Sequence, residues 1–171
     1  MSSVVWACAI EAPGLVRHVM GHGLIVGEAH GGRSERVEDL ARTLGKAGFE
    51  ARATPRIQQD IWFKLWGNMT MNPVSAVTGA TCDRVLDDAL VKRWITAMML
   101  EAAAVGEAIG CPVGQSPEDR HAVTRKLGAF RTSMLQDVDA GRPLEIDALL
   151  TAVSEIAERV GVPIPNLDAL L

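Results

Sequence analysis

Ile61-Trp-Phe-Lys-Leu-Trp-Gly-Asn-Met-Thr-Met-Asn72-Pro73 is the stretch on which the reading of this chain turns. Lys64, Asn68 and Asn72 stand at i, i+4 and i+8. On an α-helix positions four apart lie on one face, so this spacing stacks a cation and two amides in a single stripe. The stripe drifts by about 80° over two turns at ~3.6 residues per turn. Trp62, Leu65, Trp66 and Met69 fall on the adjacent faces, which makes the helix mostly apolar with one narrow polar seam. Such a seam suits a lined cavity for a small polyoxygenated ligand. Lysine is almost never fully buried unless paired, so the seam requires solvent or a partner. Spacing alone fits equally well a surface helix end with a solvated lysine and capping asparagines.

Two neighbours extend the pattern. Ser75 is close to Lys64 in helical angle and continues the seam. Pro73 removes a helix hydrogen bond and crowds the carbonyl of Met69, and it pushes Asn72 away from helical dihedrals. A kink is therefore expected there, with free carbonyls beside Asn72.

Upstream the chain reads as mixed α/β. Val4 to Ile10 is an apolar, β-prone candidate for a buried strand. Pro13-Gly14 marks a turn, Leu15 to Met20 a strand, and Gly21-His22-Gly23 a second turn into Leu24 to Glu28, together a β-hairpin. The G-x-G-x-x-x-G spacing of Gly21, Gly23 and Gly27 superficially matches a dinucleotide fingerprint. That fingerprint must follow a strand and open a helix, whereas Leu24-Ile-Val reads as strand. Ser34 caps a helix over 35–47 that presents Val37, Leu40, Ala41, Leu44 and Ala47, and Gly48 ends it. A short strand, Glu50 to Ala53, follows.

From about residue 58 the pattern is helical. The seam helix runs to about Thr78, and a second helix covers about 88–109. Ser116-Pro117-Glu118-Asp119 opens a third, carrying Val123, Leu127 and Phe130. A last helix over about 143–160 presents Leu144, Ile146, Leu149, Leu150, Val153, Ile156, Ala157 and Val160 to a core. The expected division is 1–57, a partial Rossmann-like α/β segment, and 58–171, a helical domain.

Composition narrows the function. The 171 residues are 48% hydrophobic and 22% charged with a net charge of −4, ordinary for a globular protein. No basic run occurs and tyrosine is absent, which disfavours nucleic acid as a partner. No apolar stretch reaches the ~18 residues of a membrane span, and the N-terminus lacks a signal-peptide pattern. Cys8, Cys82 and Cys111 are dispersed and odd in number, consistent with a reducing, cytoplasmic setting. His18, His22, His30 and His121 lack metal-ligand grouping and read as exposed loop residues.

The segment Arg131-Thr-Ser-Met-Leu-Gln-Asp137-Val-Asp-Ala-Gly-Arg-Pro-Leu-Glu145-Ile-Asp147 is densely polar between two apolar helices. Pro143 at the first helical position would place Glu145 in the first turn, where the helix dipole favours a carboxylate by ~0.3–1 kcal/mol. Glu145 could then accept hydrogen bonds from ligand hydroxyls. An ordinary helix-start acid, with Asp137 as another cap, fits the same residues.

Together, Ile61-Trp-Phe-Lys64…Asn68…Asn72-Pro and Ser133-Met-Leu-Gln-Asp137…Gly-Arg-Pro-Leu-Glu145-Ile-Asp147 resemble the 2-dehydropantoate 2-reductase (ketopantoate reductase) family. Ala12-Pro13-Gly14 and the Gly27-Glu28 strand end resemble the segment that precedes its helical domain, so the resemblance runs from about Val4 to Leu171. It lapses near Cys82, where a further family asparagine is replaced. The resemblance implies a mainly α fold: a multi-helix, 6-phosphogluconate dehydrogenase C-terminal-like domain, preceded by a small α/β remnant of a Rossmann sheet. The fingerprint glycines and first strands of the family's NADPH-holding domain are absent from these residues, so the chain is expected to be an incomplete enzyme.

By resemblance, Lys64 is the catalytic proton donor, Asn68, Asn72 and Ser133 hold the substrate, and Glu145 binds a ribose hydroxyl of NADPH. The implied function is NADPH-dependent reduction of a keto acid, 2-dehydropantoate foremost, in pantothenate and coenzyme A biosynthesis. Reduction of another small 2-keto acid stays open, as does a non-catalytic oligomerisation module. A β-hydroxy acid dehydrogenase family also sets a lysine four residues before an asparagine, but it lacks the Ser133–Glu145 block. A homodimer is expected, with no membrane, nucleic-acid or metal partner.

Overall fold

A strand pair, one helix and a third strand lead into a succession of helices. This computed structural model describes the backbone from Ser2 to Leu171, and within it the side chains except those of residues 2–11, 16, 19 and 20. The chain divides into two compact units, Met1–Ile61 and Trp62–Leu171.

In the first unit β1 (Ser2–Ala12) and β2 (Leu15–Gly27) pair antiparallel through a turn at Pro13-Gly14. β2 runs parallel to β3 (Glu50–Ala53), giving the order β1-β2-β3. The Gly21-His22-Gly23 segment is not the hairpin turn that its composition suggested. β2 passes straight through it, and the register jumps from Val5↔Leu24 to Ala7↔Met20, so extra residues bulge out of one strand. Gly21 adopts a φ of 73°, a backbone state open to glycine without steric penalty, which is what the bulge requires. The expected burial of Val4 to Ile10 lies outside the described side chains.

The crossover helix α1 (Glu35–Lys46) forms as its caps dictate. Ser34 sits in extended conformation and its hydroxyl accepts from the Val37 amide. Val37 and Ala41 are buried with Val26 of β2, and Leu40 and Leu44 pack beside them. Arg36 forks onto both carboxylate oxygens of Glu28, and Ser34 donates to the same group. The guanidinium foremost, then the hydroxyl, holds the Glu28 carboxyl down at about 2.

α2 (Ile57–Thr78) carries the seam, and the second unit is built around its apolar faces. Trp62, Trp66, Met69, Met71 and Val74 enter a core shared with Ile95, Met98, Met99, Ala102 and Val105 of α4 (Ala89–Ala108). Trp66 is wholly buried and its indole N–H donates to the Met99 carbonyl at 2.7 Å. α4 packs against α3 (Cys82–Asp87), α5 (Pro117–Arg125), α7 (Ala152–Val160) and α8 (Pro165–Asp168). α2 stays helical through Asn72 and Pro73, against the expectation that proline displaces its predecessor. Here the buried Met69, Met71 and Val74 anchor both sides of the proline, so packing outweighs the lost hydrogen bond.

Short elements escaped the periodicity. α3, α6 (Ser133–Asp139) and α8 are four to seven residues each, too short for a repeat to register. α5 ends at Arg125, short of Leu127 and Phe130, and Val123 and Leu127 are 47% and 44% exposed. His121 is buried, not an exposed loop residue: it lies in α5 with Nε2 3.0 Å from the Thr96 hydroxyl. The last helix does not start at Pro143. Arg142 is tied back to Asp137 through its backbone N–H and its guanidinium, which keeps 142–145 outside the helix. Asp137 is thus an ion-pair partner rather than a cap. A π-helical turn, Asp147–Thr151, precedes α7, with the Ala152 amide bonded to the Asp147 carbonyl. That extra residue turns Ile146 off the core face, and it is 40% exposed.

Candidate functional site

α2 supplies three of the candidate residues from one face. Lys64 is partly buried, Asn68 is partly buried one turn on, and Asn72 is 8% exposed. Burial pulls the Lys64 ammonium below the usual lysine range, and the Glu145 carboxylate acts in the opposite sense. Both groups belong to the second unit, and Glu145 is exposed, separated from the π turn by Ile146. Its carbonyl accepts from the Leu149 amide at 3.0 Å, so it occupies the helix entry rather than the first turn.

Ser133 opens α6, where Thr132 serves as N-cap and accepts from the Leu135 amide. This cap brings the Ser133 hydroxyl within 3.5 Å of the Asn72 amide nitrogen, which donates to it across 61 residues of sequence. The two polar segments singled out in the sequence therefore meet at Asn72 and Ser133. Ser75 does not extend the seam: it is fully buried and its hydroxyl donates to the Ala80 carbonyl at 2.6 Å, closing the end of α2.

A cavity of about 90 Å³ opens beside Asn68 and Asn72, with Gly67, Cys82, Arg120 and Thr132 in its wall. Lys64, Ser133 and Glu145 lie outside that wall. Burial first, and Asp83 second, push the Cys82 thiol up to about 11, so it stays protonated near neutral pH and is no nucleophile. Among the described residues no histidine, cysteine or carboxylate cluster could hold a metal ion. The exposed rings of His18 and His22 lie 4.7 Å apart within β2, tilted by 37°. Arg120 and Gly67 were not singled out from the sequence. A glycine inside a long helix was the available signal, since it costs about 1 kcal/mol relative to alanine and so implies a packing reason.

The residues fit a dinucleotide only in part. Gly21, Gly23 and Gly27 lie in a strand and open no helix, so they form no pyrophosphate cradle. Glu145, exposed at a helix entry, is placed to accept from a hydroxyl.

The class follows from a family comparison. The family described as "Ketopantoate reductase PanE/ApbA C terminal" matches residues 56–171, and the chain belongs to it. A protein named 2-dehydropantoate 2-reductase from Mesorhizobium japonicum is 44% identical over 172 residues, covering 100% of this chain and 53% of its own length. Among solved structures, one assigned to the ketopantoate reductases, from Ralstonia solanacearum MolK2, is 57% identical with a TM-score of 0.92, over 98% of this chain and 51% of that one. A 2-dehydropantoate 2-reductase from Methylococcus capsulatus is 32% identical with a TM-score of 0.88, over 96% and 53%. The chain thus spans about half the length of the relatives it matches. The mainly α architecture with a small sheet remnant is the one that the sequence resemblance implied. Among the described residues no helix is long and apolar enough to cross a membrane.

Proposed function

We propose that this chain supplies the substrate-binding and proton-donating half of an NADPH-dependent 2-keto acid reductase, with 2-dehydropantoate as the leading substrate. The observation that carries the reading is the partly buried Lys64 on the same helix face as Asn68 and Asn72, with the Glu145 charge acting on it. The nicotinamide, when bound, supplies the hydride. Lys64 holds a proton at Nζ and delivers it to the ketone oxygen as negative charge develops there, which is general acid catalysis with electrostatic stabilisation. Asn68, Asn72 and Ser133 orient substrate oxygens, and Glu145 accepts from a ribose hydroxyl. Supporting names come from relatives called 2-dehydropantoate 2-reductase. A panel of 2-keto acids, offered to this chain joined to the nucleotide-binding half of a relative, tests the assignment. Turnover of other keto acids without 2-dehydropantoate would replace the substrate and keep the chemistry.

The Lys64 environment sets a pH dependence. The acid form is required and is lost as pH rises through its pKa, which burial lowers. The basic limb of kcat is therefore expected below the ordinary lysine value. Glu145→Gln removes a charge that raises this pKa, so the limb moves to still lower pH. A limb that stays put, or moves up, in the pH–rate profile of the variant contradicts the proton-donor role.

The chain by itself is expected to bind NADPH weakly. Glu145 adds one or two hydrogen bonds at ~0.5–1.5 kcal/mol each, against roughly 8 kcal/mol for micromolar affinity. Calorimetric titration checks this, and micromolar binding would reveal a nucleotide site within the first sixty residues. We further propose a homodimer. The outer edges of β1 and β3 are unpaired among the described residues, and such edges recruit partners. Light scattering that shows a clean monomer at micromolar concentration removes that proposal.

A further inference from the structure

We propose that Arg120 and the cavity beside Gly67 form a carboxylate subsite, which selects acids over neutral ketones. The inference rests on the keto acid reading above for its substrate, and on separate residues for its geometry.

Arg120 comes from α5 and is seated on the face of α2 that carries Phe63 and Gly67. Its Cζ lies 5.6 Å from the Phe63 ring centroid. A Cβ built on Gly67 would stand only 2.8 Å from Nε and 2.9 Å from Cζ of Arg120, so the missing side chain is what lets the guanidinium lie against the helix. Gly67 immediately precedes Asn68. It falls about 60° from Lys64 around the helix at ~100° per residue, and Asn68 falls about 40° to the other side. The guanidinium is thereby held on the flank of the seam.

Among the described residues no carboxylate pairs with this guanidinium, although eight other arginines have such partners. The cavity wall contains no aspartate or glutamate. Its polar members are Asn68, Thr70, Asn72, Arg120, His121, Thr124 and Thr132, besides the Cys82 thiol. Burial lowers the Arg120 pKa, and no nearby acid offsets it. A partly buried cation without a countercharge, among neutral donors, is what an anionic ligand completes. The volume of about 90 Å³ leaves room for a carboxylate with a short carbon stub. Guanidinium geometry matches a planar carboxylate in a two-point contact.

The test needs no turnover. The 171-residue chain, labelled with ¹⁵N, is titrated with 2-oxobutanoate and separately with its methyl ester, and the Arg120 Nε–Hε signal is followed by NMR. The expected result is a saturable shift with the acid and none with the ester. Arg120→Met should weaken acid binding by at least about tenfold, the lower bound for a charged hydrogen bond, while Arg120→Lys recovers part of it. Equal shifts with acid and ester, no shift with either, or unchanged affinity in Arg120→Met would each overturn the subsite. Because the wild-type signal is read directly, a variant that fails to fold leaves the test intact. Loss of the reductase reading would show instead as full turnover after Lys64 is removed, a result that leaves this titration unaffected.

Discussion

Lys64→Ala is expected to lower kcat for keto acid reduction by about 10²–10⁴-fold, the range for removal of a positioned general acid. The measurement requires the chain joined to a nucleotide-binding half. Substrate KM should change far less than kcat, because the substrate contacts proposed for Asn68, Asn72 and Ser133 are retained. Val77→Ala, at a position 80% exposed on the same helix, serves as the control and should match the parent. A Lys64→Ala enzyme within about threefold of the parent, on the same scale of effects, would falsify the proton-donor assignment. The partial burial of Lys64 gives the effect its expected size. A desolvated ammonium stabilises developing charge more strongly than one in bulk water, and a solvent molecule replaces it poorly.

Trp66→Ala is expected to be the most damaging single change to stability. Trp66 is 0% exposed and bridges α2 to α4 through Met99. Truncation of a buried tryptophan costs about 3–5 kcal/mol through lost contacts and the residual cavity. For a chain of this length that corresponds to roughly 6–20 °C in melting temperature. Trp66→Phe keeps much of the packing and removes only the indole donor, while the Met99 carbonyl keeps its place in the α4 backbone ladder, so its loss should be under half as large. Thermal or denaturant unfolding of both variants checks the order. A cost below about 1 kcal/mol for Trp66→Ala, well outside the usual range, would mean that the α2–α4 contact is not the centre of this core.

The sequence made the long elements legible because they ran for several turns of one period or carried a cap. Ser34 and Ser116 cap α1 and α5 with their own side chains, as their sequence context indicated, and α4, placed by its apolar spacing, proves to be capped by Asp88. Short helices were illegible, since one or two turns cannot display a period. The glycines of β2 misled in a specific way. Gly21 and Gly23 can serve a turn or a bulge, and only the pairing partner on β1 decides between them. At the candidate site, helical phase alone brought Lys64, Asn68 and Asn72 together. The approach of Ser133 to Asn72 depends on where α6 packs, which local sequence does not encode. Arg120 was invisible for the same reason: its neighbour Gly67 is 53 positions away, and nothing near Arg120 in the sequence marks it.

The wide turn at Asp147–Thr151 has a geometric consequence for Glu145. It inserts one residue into the helical count, equivalent to a rotation on the order of 100°. Leu149, Leu150, Val153 and Ala157 keep their common buried stripe, while everything upstream of the turn is re-aimed as if by a gear tooth skipped. Ile146 gives up a core position, and the carboxylate beside it takes its heading from that offset rather than from the packing of α7. Direction at Glu145 is thus set by the register of the turn, to which its carbonyl is tied through the Leu149 amide, and cohesion at α7 by the stripe that follows.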